Sequence, residues 1–181
     1  LVHGGIANKA KVNIVYIDSE TLSPRNVKQA LSGIDGILVP GGFGERGVEG
    51  KIAAIKYARE NEIPFFGICL GMQLATIEFA RNVCGIKDAT SREFAPEKKG
   101  VRNFVIDFME EQRGLDKKGG TMRLGAQVSE VQDGTRALEC YGTKQISERH
   151  RHRYEFNNSF RKQLEAHGLK VAATSENDTL V

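Results

Sequence analysis

The apolar and polar positions of this chain follow two regimes. Between residues 12 and 83, short apolar runs alternate with stretches whose apolar residues recur at helical spacing. Residues 12–17, 36–39 and 63–68 read as strands. Ser23 and Pro24 read as the N-cap and first-turn proline of a short helix over 25–31, closed by Gly33. Val48, Ile52, Ile55 and Ala58 mark one face of a helix over 48–60, and Leu70, Leu74 and Ile77 mark one over 70–83. Strands alternating with helices through short connections predict an α/β domain with a parallel sheet. Beyond Cys84 the chain turns polar and lysine-rich. Strands are expected over 103–109, 123–131, 136–141, 144–148 and 169–174, with a loop over 116–120 and a helix over 156–167 closed by Gly168. Leu1 to Gly5 reads as the last turn of a helix with its glycine stop, and Thr179 to Val181 as the start of a strand. The chain is therefore expected to be an interior stretch of a longer protein.

The chemistry concentrates where the third strand meets the third helix. Gly67-Ile68-Cys69-Leu70-Gly71 forces a sharp strand-to-helix turn. Flanking glycines give the backbone room, and the thiol stands at a helix N-terminus, where thiolate is favoured. The loop Pro40 to Gly47 follows the preceding strand. Ligands of open α/β sheets bind at the carboxyl ends of strands, so this loop and Cys69 are expected to share one crevice. Backbone N–H groups of Gly42 and Leu70 would then form an oxyanion hole beside the thiol. The loop lacks the Gly-Lys-Ser/Thr of a Walker-type phosphate site and the spacing of a dinucleotide fingerprint.

Composition narrows the class without naming it. With 181 residues, 40% hydrophobic and 27% charged, the chain suffices for one globular domain. A net charge of +3 is too small to imply a nucleic-acid partner. No apolar run approaches a membrane span and no signal peptide is evident. Three cysteines without a Cys-x-x-Cys pair suggest neither a disulfide framework nor a zinc site, and a reducing cytoplasm is expected. Cys84 and Cys140 read as structural, and Lys98-Lys99 and Lys117-Lys118 as solvated loop charges.

The loop Val39-Pro40-Gly41-Gly42-Phe43-Gly44 together with Gly67-Ile68-Cys69-Leu70-Gly71-Met72-Gln73 resembles the glutaminase domain of class I glutamine amidotransferases. Residues 46–50, 119–125 and 148–155 narrow the resemblance to the CTP synthase family. It implies a three-layer, flavodoxin-like α/β fold with a mostly parallel central sheet, incomplete at both termini, and these residues as part of the amidotransferase domain. It implies that Cys69 attacks the side-chain amide of L-glutamine, forming a thioester and releasing ammonia. Gly42 and Leu70 would hold the oxyanion, and Gly71 and Met72 continue the substrate-binding turn. Gln73 and Glu93 would hold the polar groups of glutamine, and Arg153 its α-carboxylate. Arg46, Gly47 and Glu49 would belong to a lid that responds to GTP. Ammonia would pass to a ligase domain of the same polypeptide that uses ATP and Mg2+ to activate UTP, in a homotetramer. No cofactor is expected within these residues.

In that family the base and its orienting group come from a His-Pro-Glu run. The histidines here are His3, His150, His152 and His167, and none has a glutamate two residues on. These residues alone are therefore expected to hydrolyse glutamine poorly or not at all. The run Arg149 to Arg153 reads as an alternating strand with one side lining the substrate cleft, rather than as the source of a base. Other readings are a γ-glutamyl peptidase or related thiol hydrolase, a non-catalytic regulatory or binding domain of the same fold, and a nucleic-acid module built on residues 149–153. The last lacks an aromatic platform.

Overall fold

The computed structural model describes residues 1–95, 100, 103–108, 123–175 and 180. Its elements are helix α1 (Val2–Ala7), α2 (Val27–Ala30), strand β1 (Ile37–Val39), α3 (Val48–Glu60), β2 (Phe65–Gly67), α4 (Leu70–Asn82), β3 (Thr90–Ser91), β4 (Phe104–Phe108), β5 (Arg123–Val131), α5 (Arg136–Tyr141), β6 (Gln145–His152), β7 (Tyr154–Phe156), a 3-10 turn (Asn158–Phe160), α6 (Arg161–Ala166) and β8 (Ala173–Ser175).

The fold is built around α4. Leu74, Ile77 and Ala80 of this helix are wholly buried, because its apolar residues lie on the side that meets the sheets. Val39 of β1, Ile52 and Ile55 of α3, Val105 and Ile106 of β4, Phe156 of β7 and Leu164 of α6 complete one core with them. The β1 and β2 strands pair in parallel, Ile37 opposite Phe65 and Val39 opposite Gly67. A second sheet has the order β3-β4-β7, with β3 parallel and β7 antiparallel to β4. A third, wholly antiparallel, has the order β6-β5-β8. Only Arg153 separates β6 from β7, so the chain passes directly from the third sheet into the second. Parallel pairing in the first half and antiparallel pairing in the second give a mixed α/β fold. Helices α3 and α4 are further tied by Arg59, whose guanidinium forks onto the buried carboxylate of Glu78 at 2.8–3.2 Å. A desolvated carboxylate needs such a partner.

Several predicted elements differ. Residues 12–17 form no ladder, and Val12, Ile14, Val15 and Tyr16 are exposed. A β-pattern becomes a strand only when a neighbour accepts its backbone bonds, and none does so among the described residues. The helix expected from residue 25 opens instead as a turn at Ser23 and becomes regular at Val27. The first helix runs through Gly4 and Gly5 to Ala7 rather than stopping at them. Residues 136–141 are helix α5, not a strand. The Thr135 hydroxyl accepts from Leu138 N–H and Gly142 takes φ +66°, so cap signals at both ends outweigh the short apolar alternation. The helix expected over 156–167 is divided into strand end, 3-10 turn and α6. The predicted loop over 116–120, both lysine pairs and most of the final strand lie outside the described residues.

Candidate active site

Cys69 is the N-cap of α4 and carries φ +53°, ψ −106°, a conformation that costs a non-glycine residue energy and recurs at functional turns. The glycines around it are required by close approach. A Cβ on Gly67 would fall 2.5 Å from the carbonyl carbon of Gly71, and one on Gly71 would fall 2.1 Å from the Val39 carbonyl oxygen. Strand β2, helix α4 and strand β1 are thus pressed backbone to backbone, and the turn between them projects the thiol outwards.

The sulfur opens onto a pocket lined by Gly42, Phe43, Gln73, Glu93, Arg151, His152, Arg153 and Tyr154. The thiol pKa is lowered. The largest cause is a hydrogen bond with the His152 ring, and the backbone N–H groups of Leu70 and Gly42 add to it against the opposing effect of burial. The N–H groups of Gly42 and Leu70 therefore both face the Cys69 sulfur. His152 is pushed up to about 9, first by Cys69 and then by Glu155, against its own desolvation. Its Nδ1 lies 3.5 Å from Glu155 Oε2. That separation suits an ion pair and is too long for a well-formed hydrogen bond.

The other expected residues divide into two groups. Gln73, Glu93 and Arg153 line the pocket, each already engaged. Gln73 Nε2 donates to the Tyr154 carbonyl at 2.9 Å, fastening the start of β7 to the first turn of α4. Glu93 Oε1 accepts from Gly44 N–H at 2.8 Å and so holds the glycine-rich loop. The Arg153 guanidinium lies 5.6 Å from the Phe108 ring and 5.7 Å from the Tyr154 ring. Gly71 and Met72 sit behind Cys69 in α4, outside the lining. Arg46, Gly47 and Glu49 are also outside it. Arg46 forks onto Glu20 at 2.6 and 2.9 Å. Gly47, at φ +65°, caps α3 with no room for a side chain beside Ser19. Glu49 accepts from Arg81 at 3.0 Å.

His152, which the sequence reading set aside as a base, lines the pocket, with Glu155 beside it. The basic run does lie on a strand and does line the cleft, yet it also brings an imidazole onto the thiol. The alternation that places His150 and His152 on one side of β6 was a usable signal, and their rings meet edge to face at 5.4 Å. Cys84 packs against the core, and burial raises its pKa. Cys140 is exposed on α5. Among the described residues no group of three or more His, Cys, Asp or Glu side chains is placed to hold a metal ion, and no helix is long and apolar enough to cross a membrane.

Known proteins similar to this chain agree among themselves. Along its whole length the chain is 60% identical to a CTP synthase of Bdellovibrio bacteriovorus and 56% identical to one of Geobacter sulfurreducens. It spans about a third of their length, 34% and 33%. Its structure is similar to that of the glutaminase domain of the Trypanosoma brucei CTP synthase with bound acivicin, with a TM-score of 0.89 and 41% identity. That match covers 98% of this chain and 67% of the other. The sequence profile of glutamine amidotransferase class-I matches residues 1–181, and the chain belongs to that family.

Proposed function

We propose that these residues are the glutamine-hydrolysing part of a CTP synthase, with Cys69 as the nucleophile. The observation that carries this reading is the strained elbow, which aims the Cys69 sulfur into a pocket under the N–H groups of Gly42 and Leu70. A thiolate there attacks the side-chain amide carbon of glutamine. The C–S bond forms, negative charge develops on the carbonyl oxygen, and the Gly42 and Leu70 N–H groups are the donors that would stabilise it. Collapse expels the nitrogen, which leaves as ammonia once protonated, and water then hydrolyses the thioester to glutamate. Arg153 offers a planar fork to the α-carboxylate, and Glu93, in the same lining, offers a carboxylate to the α-ammonium.

In the longer protein ammonia reaches a ligase domain that aminates UTP at the expense of ATP with Mg2+. Arg46, Gly47 and Glu49 serve its response to GTP. A cytoplasmic homotetramer belongs to the same reading.

The test is protection of the thiol. L-Glutamine is expected to slow alkylation of Cys69 by iodoacetamide, followed by mass spectrometry of its peptide, and to leave exposed Cys140 unaffected. Acivicin is expected to protect in the same way. Equal alkylation of Cys69 with and without saturating glutamine would count against the reading.

A further inference from the structure

We propose that Glu93 is a positioning residue of the site: by clasping the Gly44 N–H it keeps the backbone of Gly41 and Gly42 seated on the Cys69–Leu70 turn, so that loop placement and recognition of a ligand's ammonium group converge on one carboxylate. The proposal rests on the reading of this pocket as a glutamine site and deepens it.

Three observations carry it. The first is how firmly Glu93 itself is held. It stands on the turn after β3, where Ser91 is wholly buried and Ala95 is 5% exposed. Its own N–H donates to Ser91 Oγ at 3.2 Å, and the Phe94 N–H donates to the Ser91 carbonyl at 3.1 Å. The Arg92 N–H donates to the Ile106 carbonyl of β4 at 3.0 Å. The Arg92 guanidinium pairs with Asp107 and lies 4.0 Å over the Phe104 ring. A side chain on such a turn reaches outwards from a fixed base.

The second is the loop. Residues 40–46 belong to no helix or strand, and Phe43 is 64% exposed. At one end the Val39 carbonyl accepts from Ile68 N–H at 3.0 Å. At the other, Val48 N–H donates to the Glu45 carbonyl at 3.2 Å and Lys51 Nζ to the Arg46 carbonyl at 2.9 Å. Between these anchorages Gly44, at φ +79°, turns its N–H onto Glu93 Oε1 at 2.8 Å. The two residues are 49 positions apart, so this bond ties the loop to the second sheet. The third is what the loop carries. A Cβ on Gly41 would lie 3.4 Å from the Cys69 Cβ and 3.9 Å from its sulfur, and one on Gly42 would lie 3.3 Å from Leu70 Cδ2. Both glycines therefore pack close over the turn that bears the thiol, and a displaced Gly44 would lift them from it.

A carboxylate has two oxygens and about four acceptor directions. Glu93 can therefore hold Gly44 through one oxygen while it accepts from an ammonium group in the pocket it lines. The loop's other side-chain clasp, Arg46 on Glu20, is 80% and 42% exposed, and a pair so open to solvent holds little.

The experiment is amide hydrogen exchange followed residue by residue by NMR in the full chain. In Glu93→Ala the Gly44 amide is expected to exchange about tenfold faster than in the wild type or more. The Gly42 amide is expected to follow it, while the Leu74 and Ile77 amides of α4 stay unchanged and report an intact fold. Glu93→Gln keeps an acceptor oxygen without the charge and is expected to release Gly44 by a smaller factor, about threefold. Being isosteric, it carries the test where the alanine variant fails to fold. Glu20→Ala is expected to leave Gly44 as it was. A Gly44 amide that exchanges as in the wild type in both Glu93 variants overturns the proposal. So does release of Gly44 without Gly42, or an equal release by Glu20→Ala. Protection of Cys69 by glutamine is scored separately. Its absence removes the substrate reading and with it the ammonium role, whereas an unclasped Gly44 with that protection intact removes the clasp alone.

Discussion

The elbow region, from β1 to α4, and the strand region, from β5 to β8, meet at one pocket but are held together by different means. The elbow region is packed. Leu74, Ile77 and Ala80 are wholly buried, and glycines allow three backbones to touch. In the strand region β5 and β6 pair over eight rungs, yet β6 is mostly exposed, and of the β5 residues whose burial is described, Val131 is the buried apolar one. Its hydrogen-bond ladder, rather than a core of its own, carries it. Cys69 is therefore held by packed backbone, whereas His152 and Arg153 reach its pocket from a sheet fastened to the core through the corner at Tyr154.

Mutations can sharpen or break that contrast. The largest effect is expected from Gly71→Ala, because its Cβ would lie 2.1 Å from the Val39 carbonyl oxygen and backbone cannot swing aside as a side chain can. A loss of about 3 kcal/mol or more, measured by urea unfolding, is expected. An unchanged midpoint would show that the elbow is looser than its geometry indicates. Next comes Leu74→Ala, which empties a wholly buried site and should cost about 2–5 kcal/mol. The matching truncation in the other region, Val128→Ala at a position 37% exposed, should cost less than about 1 kcal/mol. Equal costs would erase the distinction between a packed and a laddered region.

Gln73→Leu preserves much of the volume while leaving the Tyr154 carbonyl without its donor. About 1–2 kcal/mol of stability should be lost. The more telling expected result is that the pH midpoint of Cys69 alkylation by iodoacetamide rises, since the corner that brings the His152 ring to the thiol is no longer fastened to α4. A lowered melting temperature with an unmoved midpoint would separate the corner from the site. The smallest effect is expected from Thr135→Ala, which removes the N-cap of α5. About 1 kcal/mol and no change in Cys69 reactivity should be seen by thermal unfolding and alkylation.

Legibility in the sequence followed the same division. The helix expected over 48–60 and the elbow at 67–71 were readable because their signals are local. They consist of apolar spacing at the helical period and glycines where a Cβ has no room. Helix α5 was misread as a strand although Thr135 and Gly142 mark its ends, because six residues offer too little periodicity to compete with apparent alternation. Residues 12–17 have a strand's composition and no ladder, since pairing is a property of two segments and not of one.

The sequence by itself determined the Cys69 elbow, the glycine-rich loop beside it and the α/β character of the first half, because each depends on backbone geometry within a few residues. Tertiary structure alone decided which histidine meets the thiol. His152 lies 83 positions from Cys69, and strand alternation can give the side of β6 on which it stands but not the partner it meets. That meeting follows from a strand that ends where β7 begins, from one amide bond between Gln73 and Tyr154, and from a buried carboxylate that draws positive charge toward it.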